Sequence, residues 1–522
     1  MKLESLIGGR WTPGAGEGRS LVNPVTGEVV ARADASGLDL AGAMAFAREA
    51  GGRALRAMTF AERGALLRAV ADVLAANRDK YGEIARLNSG NTKLDAAIDI
   101  DGGIATLKVY ARLGQSLGGA TTILEAGQDQ LAKEPVFFSR HLWTTRPGVA
   151  LQINAFNFPS WGLWEKVAAA TIAGAPSVAK PATATAWLSH EMMRDVAAAN
   201  VVPPGVLSLV CGSGEALLDA LGPMDSVAFT GSAETGRSIR AHPVVMASGA
   251  RVTIEADSIN ATILGPDAEP GGALFDLAVR EVGKALSVKA GQLCTNIRRV
   301  LVPRQRLDAF VEAVAAAASR LAVGDPADEA VRVGPLVDKR QQTDALAGIA
   351  RLSAEARVAF GGGVPAGLDP ALAARGAFVA PTLLVCPDPH AAEAVHSVEV
   401  FGPCATVLPY DGIDDATALA ARGGGSLALS LFSDDREARL ATATALGPWH
   451  GRLLLVDEAV GRNHSGHAIV MPQCVHGGPG RAGGGEELGG TRGLRLHMQR
   501  SAVQASPATL ELIAGGAAEA TL

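Results

Sequence analysis

From about residue 40 to 125, charged residues recur every three or four positions in an Ala-rich background, the signature of helices with one face turned inward. The pattern then changes. Phe137 to Trp143 and Arg146 to Asn154 read as extended segments flanking Pro147-Gly148, and beyond them short apolar runs alternate with helical stretches. Val149 to Phe156, Ser177 to Lys180, Val206 to Cys211, Ser226 to Thr230 and Arg251 to Glu255 are predicted strands. Trp164 to Ala175 and Trp187 to Asn200 are predicted helices between them. Alternation at this spacing predicts an α/β fold with a parallel, doubly wound sheet. A second alternating series runs from about 260 to 465 and includes a helix over Leu307 to Ala322 that stops near Gly324-Asp325-Pro326. The Gly-dense segment 476–490 is expected to be loop.

The whole chain is consistent with that reading. At 522 residues it is too long for one core, so two or more domains are expected. Its 48% hydrophobic and 19% charged composition describes a soluble globular protein, and a net charge of −6 argues against nucleic-acid or anionic-membrane partners. No apolar run reaches membrane-spanning length, and the N-terminus carries no secretory h-region. The five cysteines, Cys211, Cys294, Cys386, Cys404 and Cys474, are scattered, without CxxC pairing. A cytoplasmic protein without a zinc site is expected, with the four besides Cys294 packed in the core. His464 and His467 are spaced three apart, but no further ligand pattern accompanies them.

Several residues sit where chemistry is done in such folds. Asn154 and Asn157 follow a predicted strand and precede a helix, the place where a parallel sheet meets ligand. Either amide could steady a developing oxyanion. Glu255 closes an apolar strand, where a carboxylate is expensive unless solvated, paired or used; Asp257 is its close rival. Lys180 ends another strand. Phe229-Thr-Gly231-Ser232-Ala-Glu-Thr-Gly236 follows a strand and opens a helix, whose backbone N–H groups favour a pyrophosphate.

Taken in order, Asn157-Phe-Pro, Lys180-Pro-Ala, Phe229-Thr-Gly-Ser, Gly291-Gln-Leu-Cys294 and Glu399-Val-Phe401-Gly-Pro resemble the NAD(P)-dependent aldehyde dehydrogenases over nearly the whole chain. The resemblance implies two doubly wound parallel-sheet domains and a small β oligomerisation arm. The cofactor-binding domain would span 1–127 and 147–256, the catalytic domain 257–470, the arm 128–146 and 491–505, and the Gly-rich loop 471–490. It implies Cys294 as nucleophile, Asn157 as oxyanion donor, Glu255 as the base that activates water, and Lys166 as a supporting lysine. It also implies Lys180, Thr183, Gly231, Ser232, Gly236, Glu399 and Phe401 as cofactor contacts. NAD-preferring members often carry Glu where this chain has Thr183. A carboxylate repels a 2′-phosphate, so NADP is the expected cofactor, with NAD as a second acceptor. Two departures mark a divergent branch: Ala256-Asp257-Ser258 replaces the common Gly-Gly-Lys, and the interval from Glu255 to Cys294 is slightly long. Ile153-Asn-Ala-Phe-Asn-Phe-Pro-Ser-Trp-Gly162 and the 476–490 stretch resemble the branch that oxidises CoA-linked semialdehydes in aerobic aromatic catabolism. The partners implied are a CoA-linked aldehyde and a second copy of the chain. A general semialdehyde or fatty-aldehyde dehydrogenase, an acylating CoA-dependent enzyme and a silent relative are the rival readings; Glu255 argues against the acylating one.

Overall fold

A computed structural model describes residues 1–520. Its first sheet has seven strands in the spatial order Arg251–Glu255, Ser226–Thr230, Ala150–Ile153, Ser177–Lys180, Leu207–Leu209, Ser5–Ile7, Arg10–Thr12. The first five run parallel, and the last two form an antiparallel hairpin at the edge. Leu151, Val178, Val227 and Ile254 bury one face of the sheet, and Ala179, Leu207 and Leu209 the other, so these strands read as continuous apolar runs rather than alternating ones. The chain leaves Ala150–Ile153 at the middle of the sheet and its successors lie on both sides. The carboxyl end of that strand is therefore the topological switch point, where open α/β sheets bind ligand.

The second sheet also has seven strands, ordered Arg357–Phe360, Thr382–Val385, Cys404–Tyr410, Arg299–Pro303, Ala261–Leu264, Ser426–Phe432, His450–Val456. All are parallel except the first. A third sheet joins Met498–Ala505 antiparallel to Phe138–Thr145, which pairs antiparallel with Ile123–Leu124, and Ala518–Glu519 adds parallel to the latter. Among the described residues no helix is long and apolar enough to cross a membrane.

The predicted strands Ser177–Lys180, Ser226–Thr230 and Arg251–Glu255 appear with those bounds. The helical region near the N-terminus is several helices, of which Phe60–Ala76 and Lys93–Leu117 begin with capping boxes at Thr59/Glu62 and Thr92/Asp95. The helix expected from Trp164 begins earlier, spanning Trp161–Ala173, because the Asp99 carboxylate accepts the Trp161 N–H at 2.8 Å.

Two expectations are corrected. The Gly-dense segment is not loop throughout: Val475–Gly478 and Gly485–Leu488 form an antiparallel hairpin, with His476 opposite Glu487. Its glycines allow backbone to meet backbone. A Cβ at Gly485 would lie 2.5 Å from the Ile254 carbonyl oxygen, and one at Gly483, whose φ is +106°, would lie 2.3 Å from the same atom. The second correction concerns Cys474, which is exposed rather than packed in the core; Cys211, Cys386 and Cys404 are buried as expected.

Candidate active site

Cys294 stands ahead of the strand Arg299–Pro303, at the amino end of the second sheet, and faces the carboxyl end of the first. The turn before it is tight. Lys289 and Ala290 both have positive φ, 48° and 49°, although neither is glycine. Such residues persist only where the surroundings over-determine them. Here the Asp95 carboxylate accepts the Lys289 N–H at 2.7 Å, and the Gln292 amide donates to the Lys289 carbonyl at 3.0 Å. Arg298 donates to the carbonyls of Gly291 and Leu293, both at 3.1 Å, and Asn260 donates to the Cys294 carbonyl at 2.8 Å. The nucleophile segment is thus pinned on both sides of Cys294.

Cys294, half-buried, lines a cavity with Asn154, Asn157, Glu165, Lys166, Glu255 and His476. Phe158, Trp161, Ile469 and Val470 supply apolar wall. Asn157 Nδ2 donates to the Gln292 carbonyl at 3.0 Å, which ties the amide to the nucleophile turn. Both polar atoms of the Asn154 amide are buried without a partner.

Glu255 ends its strand inside this cavity. Its Oε2 pairs with His476 Nε2 at 2.9 Å, and its Oε1 is buried without a hydrogen-bond donor. Single donor atoms of Glu255, Cys294 and His476 all lie within 4.8 Å of one another. Burial would raise the Glu255 pKa, but the charge and hydrogen bond of His476 outweigh it and hold the carboxyl at about 2. Burial, and then the Glu255 carboxylate, push Cys294 well above the usual thiol range, so the resting nucleophile is a neutral thiol beside a carboxylate.

Lys166, on Trp161–Ala173, forms ion pairs with Glu487 at 3.0 Å and Glu165 at 3.5 Å and donates to the Thr230 hydroxyl at 2.9 Å. Burial would lower its pKa; the Glu487 and Glu165 carboxylates reverse that and raise it. Burial pushes Glu165 up to about 7 despite Lys166.

The expected cofactor residues frame the switch point. Lys180 ends its strand, and among the described residues no carboxylate lies within ion-pair distance of it; burial and then the nearby Arg19 charge depress its pKa. Thr183 begins the short turn Thr183–Thr185, against which the strand Arg19–Val22 packs. Gly231 and Gly236 leave room for Phe229 and Ile254, whose side chains a Cβ would meet at 2.6 and 3.0 Å. Ser232 caps the helix Ala233–Arg240 by accepting the Thr235 N–H at 3.3 Å. Asp257, the rival base, instead accepts the Ala233 N–H at 3.0 Å, which places a carboxylate at the helix end expected to greet a pyrophosphate. Glu399 accepts the Ser258 N–H at 3.1 Å and pairs with Arg298 at 3.4 Å; burial raises it to about 7. Arg298 also lies over the Phe401 ring, 5.5 Å from its centroid. Strand-end Lys180, the carboxylate-free Thr183 turn and the Glu399–Phe401 pair fit a dinucleotide laid across the switch point.

All the predicted catalytic residues line one cavity. Sequence reasoning missed Glu165, His476, Glu487, Asn260 and Arg19. Of these only Glu487 carried a signal, in the Gly-Glu-Glu-Leu-Gly ending of the glycine run. His467 Nδ1 pairs with the Ser430 hydroxyl at 2.8 Å.

Comparisons with known proteins give a consistent result. The profile of the aldehyde dehydrogenase family matches residues 11–491. The 3,4-dehydroadipyl-CoA semialdehyde dehydrogenase of Aromatoleum evansii is 50% identical over 92% of this chain and 93% of its own. The 2-hydroxymuconic semialdehyde dehydrogenase of Pseudomonas sp. (strain CF600) is 31% identical over 83% of this chain and 87% of its own. Among solved structures, betaine aldehyde dehydrogenase from Staphylococcus aureus in complex with NAD+ superposes with a TM-score of 0.82 at 25% identity, covering 96% of this chain and 95% of that one.

Proposed function

Because the chain belongs to the aldehyde dehydrogenase family, and so to the NAD(P)-dependent oxidoreductases, we propose that it oxidises a CoA-linked semialdehyde, 3,4-dehydroadipyl-CoA semialdehyde, to the free carboxylate with NADP. The observation that carries the reading is the meeting of Cys294, the open oxygen of Glu255 and the anchored amide of Asn157 in one cavity.

In this mechanism Glu255 takes the Cys294 proton and the thiolate adds to the aldehyde carbon. The former carbonyl oxygen, now negative, is held by the Asn157 amide and the Cys294 backbone N–H. The bound nicotinamide supplies the hydride acceptor. Cys294 then carries a thioester. Glu255, having passed the first proton to solvent, removes a proton from water as its oxygen bonds to the thioester carbon, the C–S bond breaks, and the carboxylic acid departs as its anion. Lys166 balances the carboxylates of Glu165 and Glu487 beside the reacting atoms. The apolar wall of Phe158, Trp161, Ile469 and Val470 suits a short acyl chain, leaving the CoA moiety at the mouth.

NADP preference is supported by Thr183 in place of a carboxylate, by Lys180 without an ion-pair partner and by the proximity of Arg19. A homodimer assembled through the third sheet and a cytoplasmic site of action complete the reading. The test is turnover of the CoA-linked six-carbon semialdehyde and of its CoA-free counterpart with each cofactor, with the product identified. Expected are faster oxidation of the CoA-linked aldehyde, free carboxylate rather than a new acyl-CoA at the oxidised carbon, and higher initial rates with NADP. Equal turnover of the simple aldehyde would reduce the substrate class to aldehydes in general. Initial rates about tenfold higher with NAD would reverse the cofactor assignment.

A further inference from the structure

The glycine-rich hairpin places a histidine against the residue read above as the base. His476 is buried, and its Nε2 lies 2.9 Å from Glu255 Oε2. The contact is fixed by backbone on both sides. The hairpin docks along Arg251–Glu255, the Ala256 N–H donates to the Ala482 carbonyl at 3.0 Å, and the close approach of Gly483 and Gly485 to Ile254 leaves little freedom between the two chains. Glu487, cross-strand from His476, reaches Lys166 at the same time.

We propose that His476 is the positioning residue of the Glu255 base. Its imidazolium grips one carboxylate oxygen, which turns the other toward Cys294 and the attacking water, and its charge keeps the buried carboxylate ionised through the hydrolytic step. The inference rests on the reading of Glu255 as the base. The groups facing this pair are Cys294 from the nucleophile segment, Glu165 and Lys166 from Trp161–Ala173, and Glu487 from the opposite hairpin strand. The Lys166 charge also favours the Glu255 carboxylate, but Lys166 pairs directly with Glu165 and Glu487, so His476 is the cation in contact with Glu255. Burial opposes the His476 charge, but Glu255, Glu165 and Glu487 more than offset it and raise its pKa.

The sign follows. His476 lowers the Glu255 pKa, so its removal raises it. A base that must be ionised then fails at a higher pH, and the acid limb of hydrolysis moves upward. Loss of the imidazolium charge at high pH has no such effect, because Glu255 is ionised there in any case.

The test needs neither cofactor nor aldehyde. With 4-nitrophenyl acetate, Cys294 gives its proton to Glu255 and attacks the ester carbonyl, the C–S bond forms, the C–O bond breaks, 4-nitrophenolate leaves in a burst, and Glu255 returns the proton to solvent. Water then cleaves the acetyl thioester, giving its proton to Glu255 and releasing acetate, in the steady state. His476→Ala, His476→Gln and Glu255→Gln are compared with the parent chain in burst amplitude and in the pH profile of steady-state release. The expected result for His476→Ala is a preserved burst with an acid limb raised by at least about one pH unit, so that deacylation near its midpoint slows by about tenfold or more. His476→Gln, which can still donate a hydrogen bond but carries no charge, shifts in the same direction by less, and it carries the test if the alanine variant does not fold. Glu255→Gln loses deacylation and, lacking the acceptor of the Cys294 proton, also slows the burst. If both His476 variants follow the parent acid limb, or lose burst and turnover together without a shift, His476 has no such role. If Glu255→Gln still deacylates, it is the base assignment that fails.

Discussion

Asn154 and Asn157 leave the same strand end and line the same cavity, yet the fold treats them differently. The Asn157 amide is anchored to the Gln292 carbonyl, two residues from the nucleophile, whereas the Asn154 amide has no partner. An oxyanion donor works because it is already aimed before charge develops, so the anchored amide is the better candidate. Asn157→Ala is therefore expected to lower kcat by about 10²–10³, equivalent to about 3–4 kcal/mol, with KM little changed. Asn154→Ala is expected to stay within about tenfold of the parent chain by the same reasoning. Steady-state kinetics on the two variants decide it, and the reverse ranking would move the oxyanion role to Asn154. Cys294, Asn157 and Glu255 were legible in the sequence because each sits in a short context tied to one strand end or turn. His476 and Glu165 were not, and Glu487 only through the Gly-Glu-Glu-Leu-Gly ending, since what defines them is mutual: three carboxyls and two cations sharing one buried volume, contributed by a strand, a helix and a hairpin far apart in the chain.

The five parallel strands of the first sheet were readable because both faces are buried, so a run of apolar residues marks each one directly, whereas the edge hairpin of Ser5–Ile7 and Arg10–Thr12 was not. The hairpin at 475–488 was not. Glycine carries neither strand propensity nor hydrophobic period, and the pairing depends on the close backbone approach that the missing side chains allow. That dependence can be tested at adjacent positions. A Cβ at Gly484 meets nothing within 4 Å, although φ is +71°, so Gly484→Ala is expected to cost about 1 kcal/mol of left-handed strain and little activity. A Cβ at Gly485 would press on the Ile254 carbonyl and the Thr253 hydroxyl, both at 2.5 Å. Gly485→Ala is expected to cost about 1–3 kcal/mol and to slow turnover more than the same loss of stability does elsewhere, because moving the hairpin moves His476 and Glu487 together. Thermal denaturation alongside kinetics checks the pair; equal activity in both variants would mean that the hairpin tolerates displacement without disturbing the site.

At the scale of the whole molecule, the third sheet is the element that a single chain leaves unfinished. Met498–Ala505 pairs along eight residues with Phe138–Thr145 on one side, and among the described residues no strand covers its other side. Most of that strand is exposed, and Leu131, Val136, Phe137 and Leu512 expose apolar side chains on the segments around the same sheet. A long open edge with apolar neighbours invites pairing with another chain, and a second copy presents the complementary surface by symmetry. The protein is thus expected to sediment at twice its 53.3 kDa chain mass. Proline shows which edge does this. Successive residues of an antiparallel strand direct their N–H groups to opposite sides, so of Ser501→Pro and Ala502→Pro one removes a donor from the ladder with Phe138–Thr145 and the other from the open edge. The open-edge substitution is expected to yield a folded monomer, and the ladder substitution a less stable protein. Sedimentation of the parent chain as a monomer would remove the dimer from the reading. A dimer that survives both substitutions with its stability intact would place the interface away from this strand.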